Sequence, residues 1–126
     1  MSVILFPDSI NNTILCSADP MNGVKVKVRL LPGTQIGAVL KLDWQGCSDP
    51  AGQQPIPGTE TSLNHFVTEA DISNGVDETI GQWLTHIKPI KHGSARVTCT
   101  INGGGETNAV VRVILVNFDG QFCDEV

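Results

Sequence analysis

Val24-Lys25-Val26-Lys27-Val28-Arg29-Leu30 alternates apolar and cationic side chains with a period of two. Successive side chains of an extended strand point to opposite faces, so this spacing sets Val24, Val26, Val28 and Leu30 inward and the three cations outward. The expectation is a half-buried antiparallel strand. Leu31-Pro32-Gly33-Thr34 ends it in a turn, where Pro fixes φ and Gly supplies a positive φ.

The same period recurs along the chain. In Ala38–Gln45, Ala38, Leu40, Leu42 and Trp44 share one face and Lys41, Asp43 and Gln45 the other, which makes Trp44 a core anchor. Ala95–Ile101 buries Ala95, Val97, Cys99 and Ile101, and Asn102-Gly103-Gly104-Gly105-Glu106 closes a hairpin into a strand over Thr107 to Asn117. Thr61–Thr68 and Thr79–Ile87 read as further strands, separated by a polar corner at Glu69–Gly75 with room for one helical turn. With an N-terminal strand around Thr13–Ser17, about seven strands result, the pattern of a two-sheet antiparallel sandwich.

Composition agrees with a single soluble domain over 1–126. Apolar residues make up 40% of the chain and charged residues 17%, so disorder is excluded. A chain of this length buries roughly two thirds of the surface its unfolded form exposes, enough for a core without metal or disulfide staples. The net charge of -5 opposes a nucleic-acid backbone, and the basic residues do not cluster. The apolar run Val3–Phe6 has no basic flank and nothing approaches a membrane span, so neither a leader nor a membrane partner is expected. Cytoplasmic residence with reduced thiols is the default, with non-classical export left open.

From about Val24 to Asn117 the succession resembles the bacterial immunoglobulin-like repeat domains of large surface and adhesin proteins. The residues that carry the likeness are the valine-rich strand, Pro32-Gly33, Gly37, Leu40-Lys41-Leu42-Asp43-Trp44-Gln45-Gly46, Phe66-Val67-Thr68-Glu69-Ala70-Asp71-Ile72 and Gly93-Ser94-Ala95-Arg96-Val97. The resemblance implies an all-β, immunoglobulin-like sandwich of about seven strands that serves as a spacer or binding module, with no catalytic residue. A domain standing alone makes a poor stalk, which favours binding over spacing.

Chemistry is sparse. Cys16, Cys47, Cys99 and Cys123 lack zinc-motif spacing, and His86 and His92 flank Pro89 as ordinary turn residues. Cys16 and Cys123 lie near the two ends, where a disulfide is conceivable in an oxidising compartment. His65 reads as a partly buried, hydrogen-bonded residue. Glu69, Asp71, Asp77 and Glu78 place four carboxylates within ten residues, a minority calcium reading weakened because Gly75 stands where an EF-hand needs an oxygen ligand. His92-Gly93-Ser94 is too tight for a nucleophile and base, and Asn102–Gly105 lacks the ending of a phosphate loop. No cofactor and no catalytic residue are expected.

Two surfaces remain for function. Gly46–Gly58, with three prolines, must be a long surface connection, and Cys47, Pro55 and Ile56 are its interaction candidates, Cys47 as an exposed, reactive thiol. The strand ending in Val110–Val116 is apolar on both faces, so Val110, Ile114 and Val116 are candidates for edge pairing or cover by a partner. The expectation is a non-enzymatic module that binds a protein or a second copy of itself. The alternative is calcium-dependent adhesion or carbohydrate binding.

Overall fold

The computed structural model describes residues 3–116 and 119–125. Among the described residues eight strands form two sheets: β1 (Val3–Leu5), β2 (Thr13–Ile14), β3 (Val24–Arg29), β4 (Val39–Cys47), β5 (Thr61–Phe66), β6 (Val76–Ile80), β7 (His92–Ile101) and β8 (Glu106–Ile114). One sheet has the order β1-β3-β6, the other β2-β8-β7-β4-β5. All pairings are antiparallel except β2 with β8. The all-β sandwich is therefore present. The end of the last expected strand, Asn117, lies outside the described residues.

Alternation decides which faces meet. Val24, Val26 and Val28 of β3 are buried against Leu40, Leu42 and Trp44 of β4, Val97 and Cys99 of β7, and Val111 and Val113 of β8. Trp44 is 1% exposed and its indole N–H donates to the His86 carbonyl at 3.2 Å, so its one polar atom is satisfied inside the core. The β7–β8 hairpin turns at Asn102 and Gly103, whose φ values of 52° and 71° are those of the turn that matches strand twist.

Three expectations change. The apolar run near the N-terminus forms β1, paired with β3, and Thr13–Ser17 shortens to the two-residue β2 followed by a 3-10 turn at Cys16–Ala18. The strand expected over Thr79–Ile87 ends at Ile80. Gly81, at φ 91°, redirects the chain into a π-helical turn at Trp83–Ile87 and a 3-10 turn at Lys88–Ile90. Trp83, Ile87 and Ile90 stand at i, i+4 and i+7, a helical spacing that outweighs the local strand composition, and all three are buried.

The third change concerns thiols. Cys16 and Cys123 form a disulfide, with Cα atoms 5.3 Å apart, while Cys47 and Cys99 are free and buried. The expectation of reduced thiols holds only for the second pair.

Candidate functional site

The long connection folds back onto its own sheet. The Asp49 carboxylate accepts the backbone N–H groups of Gln53 at 2.9 Å and Gln54 at 2.8 Å, and Ile56 N–H bonds the Gly46 carbonyl at 2.8 Å. Burial works to raise the Asp49 pKa, but these donated N–H groups outweigh it and hold the carboxyl below the usual range. Ser94 Oγ donates to the Asp49 carbonyl and the Arg96 guanidinium to the Gly52 carbonyl. The segment is thereby latched over β7 and β8.

That latch corrects two candidates. Cys47 is 1% exposed, and burial, only partly offset by the Arg96 charge, pushes its thiol up, so it is no reactive surface group. Val110 is half-buried under Gly52, on which a Cβ would stand 3.1 Å from Val110 Cγ2. Ile114 and Val116 are also half-buried, and Val116 bridges Phe122. The outer apolar face of β8 is thus largely dressed by the chain itself. Its edge is met by β2 at Arg112 and Val113, with Arg112 N–H donating to Asn12 at 3.0 Å and the Asn12 side chain to Val110 at 3.0 Å. Ile56 packs against the core, and Pro55 remains exposed.

The four acidic candidates disperse. Glu69 is exposed, Asp77 pairs with Lys27 at 3.4 Å, and Asp71 and Glu78 turn to His65. Among the described residues no three of His, Cys, Asp or Glu are gathered as metal ligands. His86 Nδ1 instead accepts the Gln82 N–H at 2.9 Å, away from exposed His92.

His65 stands between two carboxylates. Its Nε2 lies 2.7 Å from Asp71 Oδ2 and its Nδ1 2.7 Å from Glu78 Oε2. His65 lies opposite Leu40 and Glu78 opposite Val26, both of which are buried, so the polar pair occupies inward positions where the two sheets leave an open seam. Asp71 belongs to α1 (Glu69–Asn74), whose first turn is closed by a capping box between Thr68 and Asp71. Burial of the imidazole opposes its charge, yet the two carboxylates outweigh that and hold His65 above its ordinary value. Asp71 is held low, because the His65 and Thr68 hydrogen bonds overcome its own burial. The sequence marks His65 as a partly buried, hydrogen-bonded strand residue, but the next expected strand starts at Thr79 and leaves Glu78 outside, whereas β6 begins at Val76.

Among the described residues the exposed large apolar side chains are Val3, Ile10, Leu31, Ile36, Phe66, Ile72 and Leu84, and three of them share one end of the sandwich. Leu31, Ile36 and Phe66 are 41%, 65% and 68% exposed. Phe66 lies opposite Val39, and Gly37 N–H bonds the Val67 carbonyl at 2.7 Å, which places the Ile36 turn beside the end of β5. The β7–β8 hairpin is tied to the same end by Asn102, whose side chain accepts Val39 N–H at 2.9 Å. Between the turn after β3 and this hairpin lies an open cavity of about 570 Å³, lined by Leu31, Pro32, Thr34, Cys99, Ile101 and Thr107 among others. The Cys99 thiol is pushed up to about 11 by burial, so it supplies no nucleophile there.

No family model matches the chain, and neither a curated protein nor a solved structure matches it.

Proposed function

We propose that this chain is a non-enzymatic interaction module on an immunoglobulin-like scaffold, binding a protein partner or a second copy of itself through the end that presents Leu31, Ile36 and Phe66. The exposure of these three large apolar side chains at one end carries the reading, since such groups, when clustered, mark recognition surfaces. The immunoglobulin-like assignment is supported by the strand order, by the split of β1 and β2 between the two sheets with β2 parallel to β8, and by a tryptophan buried on β4. The likeness to bacterial surface repeat domains points to the same kind of role. The disulfide favours an oxidising compartment.

The alternative of calcium or carbohydrate binding draws less support. Asp71 and Glu78 are engaged by His65, and a sugar platform requires a broad exposed aromatic face. The chain has no Tyr, and both Trp44 and Trp83 are buried.

The test compares the wild-type chain with an Ile36→Ser/Phe66→Ser variant by light scattering over a concentration series and by affinity capture from extract of the source organism. The expected result is a self-associated form or a captured protein that the variant loses. A partner that the variant retains, or a wild-type chain that stays monomeric and captures nothing, overturns the proposal.

A further inference from the structure

We propose that His65, Asp71 and Glu78 form a proton-operated latch that ties the free edges of the two sheets together and opens at the Glu78 arm when the imidazole loses its proton. β5 and β6 are edge strands of different sheets and are not hydrogen-bonded to each other. The cluster supplies a side-chain bond across the seam between them.

The argument is one of proton counting. Two ring nitrogens each stand 2.7 Å from a carboxylate oxygen, and each such contact requires a hydrogen between the heavy atoms. A neutral imidazole carries one N–H, so with both carboxylates ionised it satisfies one arm and turns a lone pair on the other. The closed arrangement is therefore an imidazolium between two carboxylates, with charge-assisted bonds on both sides.

The arms are unequal. Asp71 Oδ2 also accepts the Thr68 N–H at 2.8 Å as part of the helix cap, which fixes that carboxylate independently of His65. Glu78 is bonded to His65 from a strand with no such cap. When the ring loses a proton, the remaining hydrogen stays on Nε2 facing Asp71, and the Nδ1–Glu78 bond across the seam is lost.

The surroundings leave the balance to these groups. The charges acting on the ring are those of Asp71 from α1 and Glu78 from β6. From β4 the ring faces Leu40, and from β3 Glu78 faces Val26, both apolar and buried. Lys25 and Lys27 of β3 alternate away from Val26, and they pair with Asp8 at 3.5 Å and Asp77 at 3.4 Å. Glu69 on α1 is exposed.

The test is an NMR titration of the three histidine rings, with amide exchange measured at pH values on both sides of the His65 midpoint. The expected result has four parts. His65 titrates above the ordinary imidazole value of 6.5; Glu78→Gln lowers the His65 midpoint; neutral His65 carries its hydrogen on Nε2; and protection of β5 and β6 amides, referenced to the β7–β8 hairpin, falls on the order of tenfold on deprotonation. A His65 midpoint at or below 6.5 overturns the latch, as does seam protection that does not change through the His65 midpoint. A neutral ring with its hydrogen on Nδ1 overturns the assignment of the opening arm. The wild-type titration needs no variant to fold.

Discussion

Cys16 and Cys123 are joined by a disulfide that closes a loop spanning 107 positions of sequence. It fastens the turn after β2 to the last described turn, where Trp83 Nε1 and Lys88 Nζ converge on Asp124 at 2.7 Å and 3.1 Å. Asp124 is held low, first by the Trp83 bond and then by Lys88. The turn after β2 and the last described turn are thus tied to each other.

A Cys16→Ser/Cys123→Ser variant is expected to lose on the order of 2–5 kcal/mol, because the cross-link restricts the unfolded chain over a long loop. Urea unfolding of the variant and the wild type checks this. Equal midpoints would show that the bond does not form or carries no stability.

Thiol labelling of the native, non-reduced protein should modify neither Cys47 nor Cys99, which are 1% and 2% exposed with thiols held in the protonated form. After unfolding without reductant, two thiols should react, and four after reduction. Rapid native labelling at Cys47 would contradict its burial beneath the long connection.

Stability should pass through a maximum in mildly acidic solution. His65 is raised in the folded state, so its contribution is full below its ordinary value of 6.5 and disappears as pH rises through the higher folded value. Asp71 is lowered, so its contribution is full above its ordinary 3.8 and disappears as pH falls through the lower folded value. Thermal melts kept below the ordinary thiol value of 9.0 should show a fall on the alkaline side that His65→Gln flattens. An alkaline slope unchanged by that substitution would refute the linkage.

Gly93→Ala should be among the most damaging single substitutions, since a Cβ there would collide with the Cys47 backbone carbonyl. Neither backbone can retreat without breaking the β4–β7 ladder that pairs Cys47 with Ser94. A loss of more than about 3 kcal/mol is expected in denaturant unfolding. Gly33→Ala is the control for glycine loss without a collision: its φ is 92°, but nothing lies within 4 Å of the added carbon. It should cost about 1 kcal/mol from backbone strain alone.

Legibility followed the range of the interaction. Alternation along β3, β4 and β7 placed Val26, Leu42, Trp44 and Val97 in the core, because burial of one strand face is written into a period of two. The hairpin at Asn102-Gly103 was equally plain, since the turn needs two positive φ values that those residues tolerate. The helical plug at Trp83–Ile90 was missed although its spacing was present, because Thr79–Ile87 also satisfies a strand reading and nothing local chooses between them.

What the sequence alone determined is the all-β character, the inward set of the central strands and the polar corner at Glu69–Gly75. Each follows from neighbours along the chain. Only the tertiary structure decided that Gly52 seats on Val110, that Cys16 meets Cys123, and that His65 stands between Asp71 and Glu78. Those pairings depend on how one sheet lies against the other and where its edges end. No local period encodes that, because these residues lie on different elements, between 6 and 107 positions apart, and meet only after both sheets have formed.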